Sequence, residues 1–185
     1  MEIKELESQE IEKLNEWQKD FYSRLNLFID ELESKYFDVD KSKYEVSCSK
    51  KRCDLLLRLV TKNNSLPEIR LYIQSSEIYV CLDGWHENLE YDKVNFDMFF
   101  ENIKKLLIFM LSESCKLVIF KSNNKPYKWN LYGLENSSWK FYSSTGLLFH
   151  NLFGRRSREE KQLNVFKQAV YPKELFAGKE GRSPK

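Results

Sequence analysis

The thiol of Cys81 and the imidazole of His86 are the first pair of side chains in this sequence whose types suit catalysis. They lie five positions apart in the stretch CLDGWH. A cysteine becomes a nucleophile when a nearby base favours its thiolate, and a third group must orient that base. Cys81 has apolar neighbours on both sides, and a turn is expected between the two residues. The sequence therefore predicts no catalysis by this pair.

Other patterns for catalysis or cofactor binding are absent from the sequence. Neither G-x-G-x-x-G nor G-x-x-x-x-G-K-[ST] occurs, so there is no glycine-rich phosphate loop. The two histidines, His86 and His150, lack the closely spaced ligand pair that a structural zinc site usually shows. Carboxylate pairs such as Glu87 with Glu90 are expected by chance among 28 acids. We therefore expect no enzyme activity, no metal and no cofactor.

The stretch from Asp83 to Asp92 combines a turn signal with an aromatic side chain and several acids. Asp-Gly after an apolar strand indicates a tight turn. Trp85 follows where the chain is expected to leave the sheet, so its ring either packs over the sheet edge as a staple or anchors a partner, since Trp and Tyr are enriched at binding hot spots. The candidate partner-binding residues are Asp83, Trp85, His86, Glu87, Glu90, Tyr91 and Asp92.

A second group of candidates pairs basic with aromatic side chains in turns and near the C-terminus. Such interleaving suits a strand of phosphates with stacked bases. Alternatively, the lysines only solvate exposed turns while the rings point into the core. The candidate nucleic-acid-binding residues are Lys50, Lys51, Arg52, Lys125, Tyr127, Lys128, Arg155, Arg156 and Arg158.

Charge is unevenly distributed along the chain. The net charge of +2 excludes a polycation built for nucleic acid. Residues 1–40 nevertheless hold twelve acids and five bases (−7), and residues 155–185 hold nine bases and four acids (+5). The two ends therefore either attract each other or each face a partner of opposite charge.

Cysteine usage and hydropathy predict a cytoplasmic protein with no membrane association. No signal peptide is recognised, so the four cysteines, Cys48, Cys53, Cys81 and Cys115, are expected to be reduced. The longest apolar stretch, LLIFMLSESCKLVIF, is too short and too interrupted by polar residues to span a bilayer.

Periodicity predicts two helices and a sheet. An apolar stripe at helical spacing indicates one long helix over residues 2–36, and a wide apolar face indicates a second over about 94–113. Closely spaced β-prone runs indicate antiparallel strands. These runs cover residues 44–48, 55–60, 69–74, 78–83, 116–121, 127–133 and 139–144.

The predicted fold is therefore α+β, with the long N-terminal helix and the second helix packed on an antiparallel or mixed sheet of six or seven strands. We expect a single domain over residues 1–154, closed by a helical turn at 146–154. A basic tail follows over residues 155–185, with a weak helical stripe and a Pro- and Gly-containing end that is expected to be mobile.

A strand followed by Asp-Gly, an aromatic residue, His and a helix resembles small bacterial toxin-immunity proteins. The residues that carry the resemblance are Ile78, Val80, Leu82, Asp83, Gly84, Trp85, His86 and Leu89. It implies an intracellular α+β scaffold that neutralises a toxin by direct binding, and it implies no catalytic residues. We therefore expect a non-enzymatic module for a protein partner such as a basic toxin, steered by acidic residues. The alternative is a nucleic-acid-associated accessory protein.

Overall fold

The computed structural model describes residues 3, 5–32, 37–50, 52–62, 67–90, 95–147 and 154–166. The chain groups into two compact units, unit 1 with residues 1–91 and 145–148, and unit 2 with residues 92–144 and 149–185. The α+β class is confirmed, because helices accompany two antiparallel sheets. The predicted domain boundary at residue 154 falls within unit 2.

The N-terminal region forms two helices, so the prediction of one long helix over residues 2–36 is wrong. Helix α1 spans Ser8–Ile11 and helix α2 spans Glu16–Glu31. Asn15 separates them: its side chain accepts a hydrogen bond from the Gln18 backbone N–H at 3.0 Å, and the Gln18 side chain accepts one from the Asn15 backbone N–H at 3.0 Å. This reciprocal capping box satisfies N–H groups that are free only where a helix begins.

Unit 1 contains a five-stranded antiparallel sheet, sheet 1, in the order β1-β2-β3-β4-β5. Its strands are β1 (Lys43–Cys48), β2 (Cys53–Leu59), β3 (Ile69–Ile73), β4 (Glu77–Leu82) and β5 (Trp85–Glu90). Leu57, Leu71 and Val80 lie in register on its buried face. The Gln18 side chain donates to the carbonyls of Cys53 and Ile73 at 3.1 and 2.9 Å, which attaches α2 to this sheet.

Unit 2 contains helix α3 (Phe96–Leu111) and a four-stranded sheet, sheet 2, in the order β8-β7-β6-β9. Its strands are β6 (Cys115–Ser122), β7 (Lys125–Glu135), β8 (Ser138–Gly146) and β9 (Arg156–Lys161). The last two residues of β8 group with unit 1. The buried face carries Leu117 and Leu131, which are cross-strand partners, and the Tyr142 ring lies 5.9 Å from Phe109 of α3. Helix α3 confirms the predicted second helix over about residues 94–113.

The prediction of one sheet with six or seven strands is wrong, because nine strands in the described residues divide between two sheets. Strand β5 was expected to be a loop, and β9 was expected to be helical. Both are short and rich in charge, and each is held by pairing with one neighbour, β4 or β6. Residues 148–153 of the predicted helical turn and residues 167–185 of the predicted tail lie outside the described residues.

Cys48 and Cys53 form a disulfide, which corrects the expectation that all four cysteines are reduced. The two residues are direct cross-strand partners at the end of the β1–β2 hairpin, so the register brings their sulfurs together. Cys81 and Cys115 are free thiols. Within the described ranges, none of the helices has the length and apolar character needed to cross a bilayer.

Candidate functional site

Strand β5 places four of the sequence-predicted partner-binding residues, Trp85, His86, Glu87 and Glu90, at an edge of sheet 1. Asp83 and Gly84 form a two-residue turn, and Asp83 has a φ of 56°, in the left-handed region that Asp tolerates. The chain then returns along β4 instead of leaving the sheet, with Leu82 opposite Trp85. The Trp85 side chain is 0% exposed. Its ring therefore belongs to the core and is not itself available to a partner.

The β4–β5 hairpin, residues 77–90, exposes carboxylates without any Lys or Arg; we call it the acidic hairpin. With His86 neutral, its net charge is −4. Its acids are Glu77, Asp83, Glu87 and Glu90. Glu77 and Glu90 are direct cross-strand partners, and the Asn88 amide donates to Glu77 Oε2 at 2.6 Å. Asp83 and Glu90 are exposed, whereas Glu87 is half-buried. Tyr91 and Asp92 lie outside the described residues.

Strand β5 pairs with β4 on one side, and on its other side it contacts the Thr145 side chain, which belongs to the same unit. The Thr145 hydroxyl accepts a hydrogen bond from the His86 backbone N–H at 3.1 Å and donates one to the His86 carbonyl at 3.0 Å. Edge strands present backbone groups to which another chain can pair. Thr145 satisfies both backbone groups of His86, the second residue of this edge strand, and the carboxylates offer the more specific contact here.

Cys81 and His86 face each other directly across β4 and β5, a closeness that the sequence interpretation did not expect. Arg70 is the cross-strand partner of Cys81 on the other side. Burial raises the pKa of the Cys81 thiol, while the positive charge of Arg70 acts in the opposite direction. Since the net shift is upward, the thiol is protonated at neutral pH and is a poor nucleophile.

A metal site finds no support in the residues that are described. No group of three His, Cys, Asp or Glu side chains among them is arranged to hold an ion. His150, the other histidine, lies outside the described residues.

Helix α2 is also acidic, but two of its four acids are paired with bases of the same helix. Glu16 pairs with Lys19 at 2.9 Å, and Asp20 pairs with Arg24 at 3.1 Å. Pairs three or four residues apart on an exposed helix are common and contribute little energy. The helix therefore presents a weaker negative surface than the −7 of residues 1–40 predicts.

A different surface covers one side of sheet 2, and we call it the aromatic-basic face. Its rings are those of Phe120, Tyr127, Tyr132, Trp139 and Phe141. Its charged residues are Lys116, Lys128, Arg156, Arg158 and Glu160. Four bases and one acid give a net charge of +3. The register explains the grouping: Lys116 is opposite Tyr132, and Phe120 is opposite both Lys128 and Arg158. Cross-strand partners point to the same side of a sheet.

Cations and rings touch along this face. Lys116 Nζ lies 4.3 Å from the centre of the Trp139 ring, and the Tyr132 and Phe141 rings meet edge to face with centres 5.8 Å apart. A register shift in β7 makes Tyr127 an extra residue, and the Arg156 guanidinium lies 4.8 Å from its ring centre. Both kinds of contact are favourable and hold the rings in place.

Glu160 is the acid of the aromatic-basic face, and two of the bases neutralise it. Arg158 makes a close ion pair with it, and Lys116 Nζ lies 3.3 Å from its Oε2. The hydrogen bond from Arg158 is the main reason that the pKa of Glu160 lies below its ordinary value. The carboxylate is therefore held charged and paired, and the excess charge of the face is positive.

The structure gathers some of the predicted nucleic-acid-binding residues and separates others. Tyr127, Lys128, Arg156 and Arg158 share the aromatic-basic face, Lys125 is exposed at the start of β7, and the Arg155 backbone bonds to Asn123. Lys50 and Arg52 belong to unit 1, where Arg52 lies 3.5 Å from Asp54. Lys51 lies outside the described residues.

Sequence reasoning missed the most exposed rings of this face, Trp139 and Phe141, and the basic residue beside them, Lys116. The sequence analysis placed all three in strands but did not predict which side of the sheet their side chains occupy. Only the pairing of Lys116 with Tyr132, and the contacts of these two residues with Trp139 and Phe141, place all three on one side of sheet 2.

Comparisons with protein-family models, with curated proteins and with solved structures found no match to this chain. The resemblance to immunity proteins stays a prediction, and the two surfaces are interpreted from their own chemistry.

Proposed function

We propose that this chain is a non-enzymatic binding protein of the immunity or antitoxin type, which neutralises a basic toxin by direct contact. The observation that supports this is the acidic hairpin: four carboxylates and no Lys or Arg on an edge hairpin. The protonated thiol beside His86 speaks against nucleophilic catalysis at the same place.

The pairing of Glu77 with Glu90 is the most specific part of this argument. Like charges placed directly opposite each other destabilise a sheet. A cationic group from a partner offsets that cost only in the complex, so the pair favours binding at the expense of stability. Glu16 and Asp20 of α2 differ, because they are paired with bases in the free protein.

The hairpin is also held rigidly enough for such contact. Trp85 is the first residue of the strand that carries Glu90, and its fully buried ring anchors that strand in the core. A rigid binding surface loses little entropy on association. A surface of one sign also accelerates encounter with a partner of the opposite sign.

Capture followed by a growth assay tests this proposal. The wild-type chain and Glu90→Lys are used as baits in an extract of the source cell. A partner retained by the wild type and lost by the variant is then expressed alone and together with each form. The expected result is growth inhibition by the partner alone and protection by the wild-type chain but not by Glu90→Lys.

Glu101→Lys is the matched control, because it makes the same charge change at an exposed residue of α3, outside the hairpin. It should protect like the wild type. Two outcomes contradict the proposal: a partner that does not inhibit growth, and a partner that Glu90→Lys neutralises as well as the wild type does.

The cytoplasmic location is part of the same proposal, and the Cys48–Cys53 disulfide bears on it. Disulfides persist mainly in oxidising compartments. Intact cells are quenched with acid, and free thiols are then alkylated in denaturant so that the buried Cys115 also reacts. Four blocked cysteines would show that the Cys48–Cys53 bond is reduced, as the cytoplasmic proposal requires, whereas two blocked cysteines would place the chain in an oxidising compartment.

A further inference from the structure

We propose that the aromatic-basic face of sheet 2 binds single-stranded nucleic acid. The nucleobases stack on its exposed rings, and the neighbouring Lys and Arg side chains hold the phosphates. This proposal does not rest on the protein-binding role of the acidic hairpin, which belongs to the other unit.

Exposure of large rings is the first observation behind it. Phe141 is 51% exposed and Trp139 is 36% exposed, although the units have well-buried apolar cores. Both lie on β8, which pairs with β7 and ends the order of sheet 2. Exposed rings in fixed positions are platforms for stacking, and stacking is indifferent to sequence because every base has a flat face.

The second observation is that cations lie beside four of the five rings, those of Phe120, Tyr127, Tyr132 and Trp139. Lys116 lies against Trp139, Lys128 Nζ lies 5.9 Å from the Phe120 ring centre, and Arg156 lies against Tyr127. A chain of nucleotides alternates flat bases with charged phosphates. A surface that alternates rings with cations therefore offers a stacking partner for each nucleobase and a positive charge for each phosphate.

The charge balance favours a polyanion over an ordinary protein partner. The net charge of the face is +3, and Glu160 is already occupied by Arg158 and Lys116. Unpaired bases are required, because the bases of a duplex are stacked inside it and present only their edges. The face therefore fits a single strand, of either RNA or DNA, better than a duplex.

Fluorescence anisotropy with labelled oligothymidylate and oligouridylate of about 16 nucleotides tests the proposal, since single-strand sites span roughly 4–16 nucleotides. A duplex of the same length is the third probe. We expect either single strand to bind more tightly than the duplex. The logarithm of affinity should fall with the logarithm of salt concentration with a slope of about −2 to −3, for three or four neutralised phosphates. Whichever single strand binds more tightly shows whether DNA or RNA is the preferred ligand.

Two kinds of variant separate stacking from charge. Trp139→Ala and Phe141→Ala should each weaken binding by about 5- to 150-fold with an unchanged salt slope. Lys128→Gln should weaken binding and make the slope less steep by about 0.7. Leu147→Ala is the control, because Leu147 is a 54% exposed apolar side chain that lies in unit 1. Its affinity should equal that of the wild type.

The ring variants alter exposed side chains, so they should keep the circular dichroism and thermal midpoint of the wild type. Three results would overturn the proposal. The first is no binding of either single strand at low salt. The second is binding that Trp139→Ala and Phe141→Ala leave unchanged, which makes the face a general polyanion surface. The third is polyglutamate binding that depends on both rings, which assigns the face to an acidic protein.

Discussion

Two tryptophans follow hairpin turns in this protein, and their surroundings are opposite. Trp85 is the first residue after the Asp83–Gly84 turn and is 0% exposed, whereas Trp139 is the second residue after the Asn136–Ser137 turn and is 36% exposed. Successive residues of a strand point to opposite sides of the sheet, so the buried or exposed position of a ring depends on single-residue alternation.

The difference separates two kinds of surface. At the acidic hairpin the ring is in the core, and carboxylates remain outside to contact a partner. On the aromatic-basic face the rings themselves are outside, and cations lie beside several of them, including Trp139 and Tyr127. The first surface can offer little besides charge, while the second offers charge together with flat apolar area. We therefore expect the two surfaces to respond differently to mutation, reduction and pH.

The largest expected difference is in stability. Trp85→Ala removes a fully buried ring and should lower the free energy of unfolding by about 3–5 kcal/mol. Trp139→Ala alters an exposed ring and should change it by less than about 0.5 kcal/mol. Urea titration followed by circular dichroism measures both values. Similar losses for the two variants would show that the burial of these rings is not what distinguishes the surfaces.

Loss of the Cys48–Cys53 disulfide comes next in size. The bond joins residues five positions apart, and closing so short a loop stabilises the folded state by about 2 kcal/mol through the entropy of the unfolded chain. Reduction should destabilise the wild type by this amount and leave a Cys48→Ser/Cys53→Ser variant unaffected. Oligonucleotide affinity should stay unchanged on reduction, because the aromatic-basic face is in unit 2. A parallel loss of affinity would contradict the independence of the two surfaces.

Removing one charge of the opposed carboxylate pair should stabilise the protein. Glu90→Gln relieves repulsion with Glu77 and should raise the free energy of unfolding by about 0.2–1 kcal/mol, while partner capture weakens. The control Glu101→Gln removes an ion pair with Lys104 and should lower stability slightly. A Glu90→Gln variant that is less stable than the wild type would show that the pair is not repulsive.

The smallest expected effect is on the pH dependence of unit 2. The hydrogen bond from Lys121 holds the pKa of Glu159 below its ordinary value near 4.5, and Arg158 does the same for Glu160. Their stabilising contribution is therefore present above the unfolded pKa and is lost as the pH falls through the lowered folded pKa. Because these pairs are exposed to solvent, each contributes less than about 1 kcal/mol.

Lys121→Met should reduce the loss of free energy of unfolding that accompanies a fall in pH. Urea titrations at several values between neutral and acidic pH measure this loss. The same variant should leave oligonucleotide binding largely intact, because Lys121 pairs with Glu159 and is not part of the aromatic-basic face. An unaltered loss at acidic pH would show that this ion pair does not contribute.

Much of the fold could be predicted from local patterns. Seven of the nine strands and helix α3 follow from alternation, helical spacing and turn residues, because long apolar periods leave few alternatives. Strand β9, with the sequence RSREEK, has neither β-branched nor aromatic residues, so its propensity indicates no strand. It is a strand because it pairs with β6, and a tertiary contact of that kind outweighs weak local preference.

The candidate surfaces were predicted in part. The charge of the acidic hairpin and four residues of the aromatic-basic face could be identified from residue types alone. The proximity of Cys81 to His86, the opposition of Glu77 and Glu90, and the contact between Lys116 and Trp139 depend on strand register. Register joins residues from different segments, and no single window of sequence contains that information.

The sequence by itself determined the α+β class, the positions of most strands and the opposite charge of two regions, because composition and periodicity act locally. Only the tertiary structure decided that the strands form two sheets, that Cys48 meets Cys53, and that one tryptophan is buried while the other is exposed. The physical reason is that hydrogen-bonded pairing sets which residues lie opposite each other and which side of the sheet each side chain occupies.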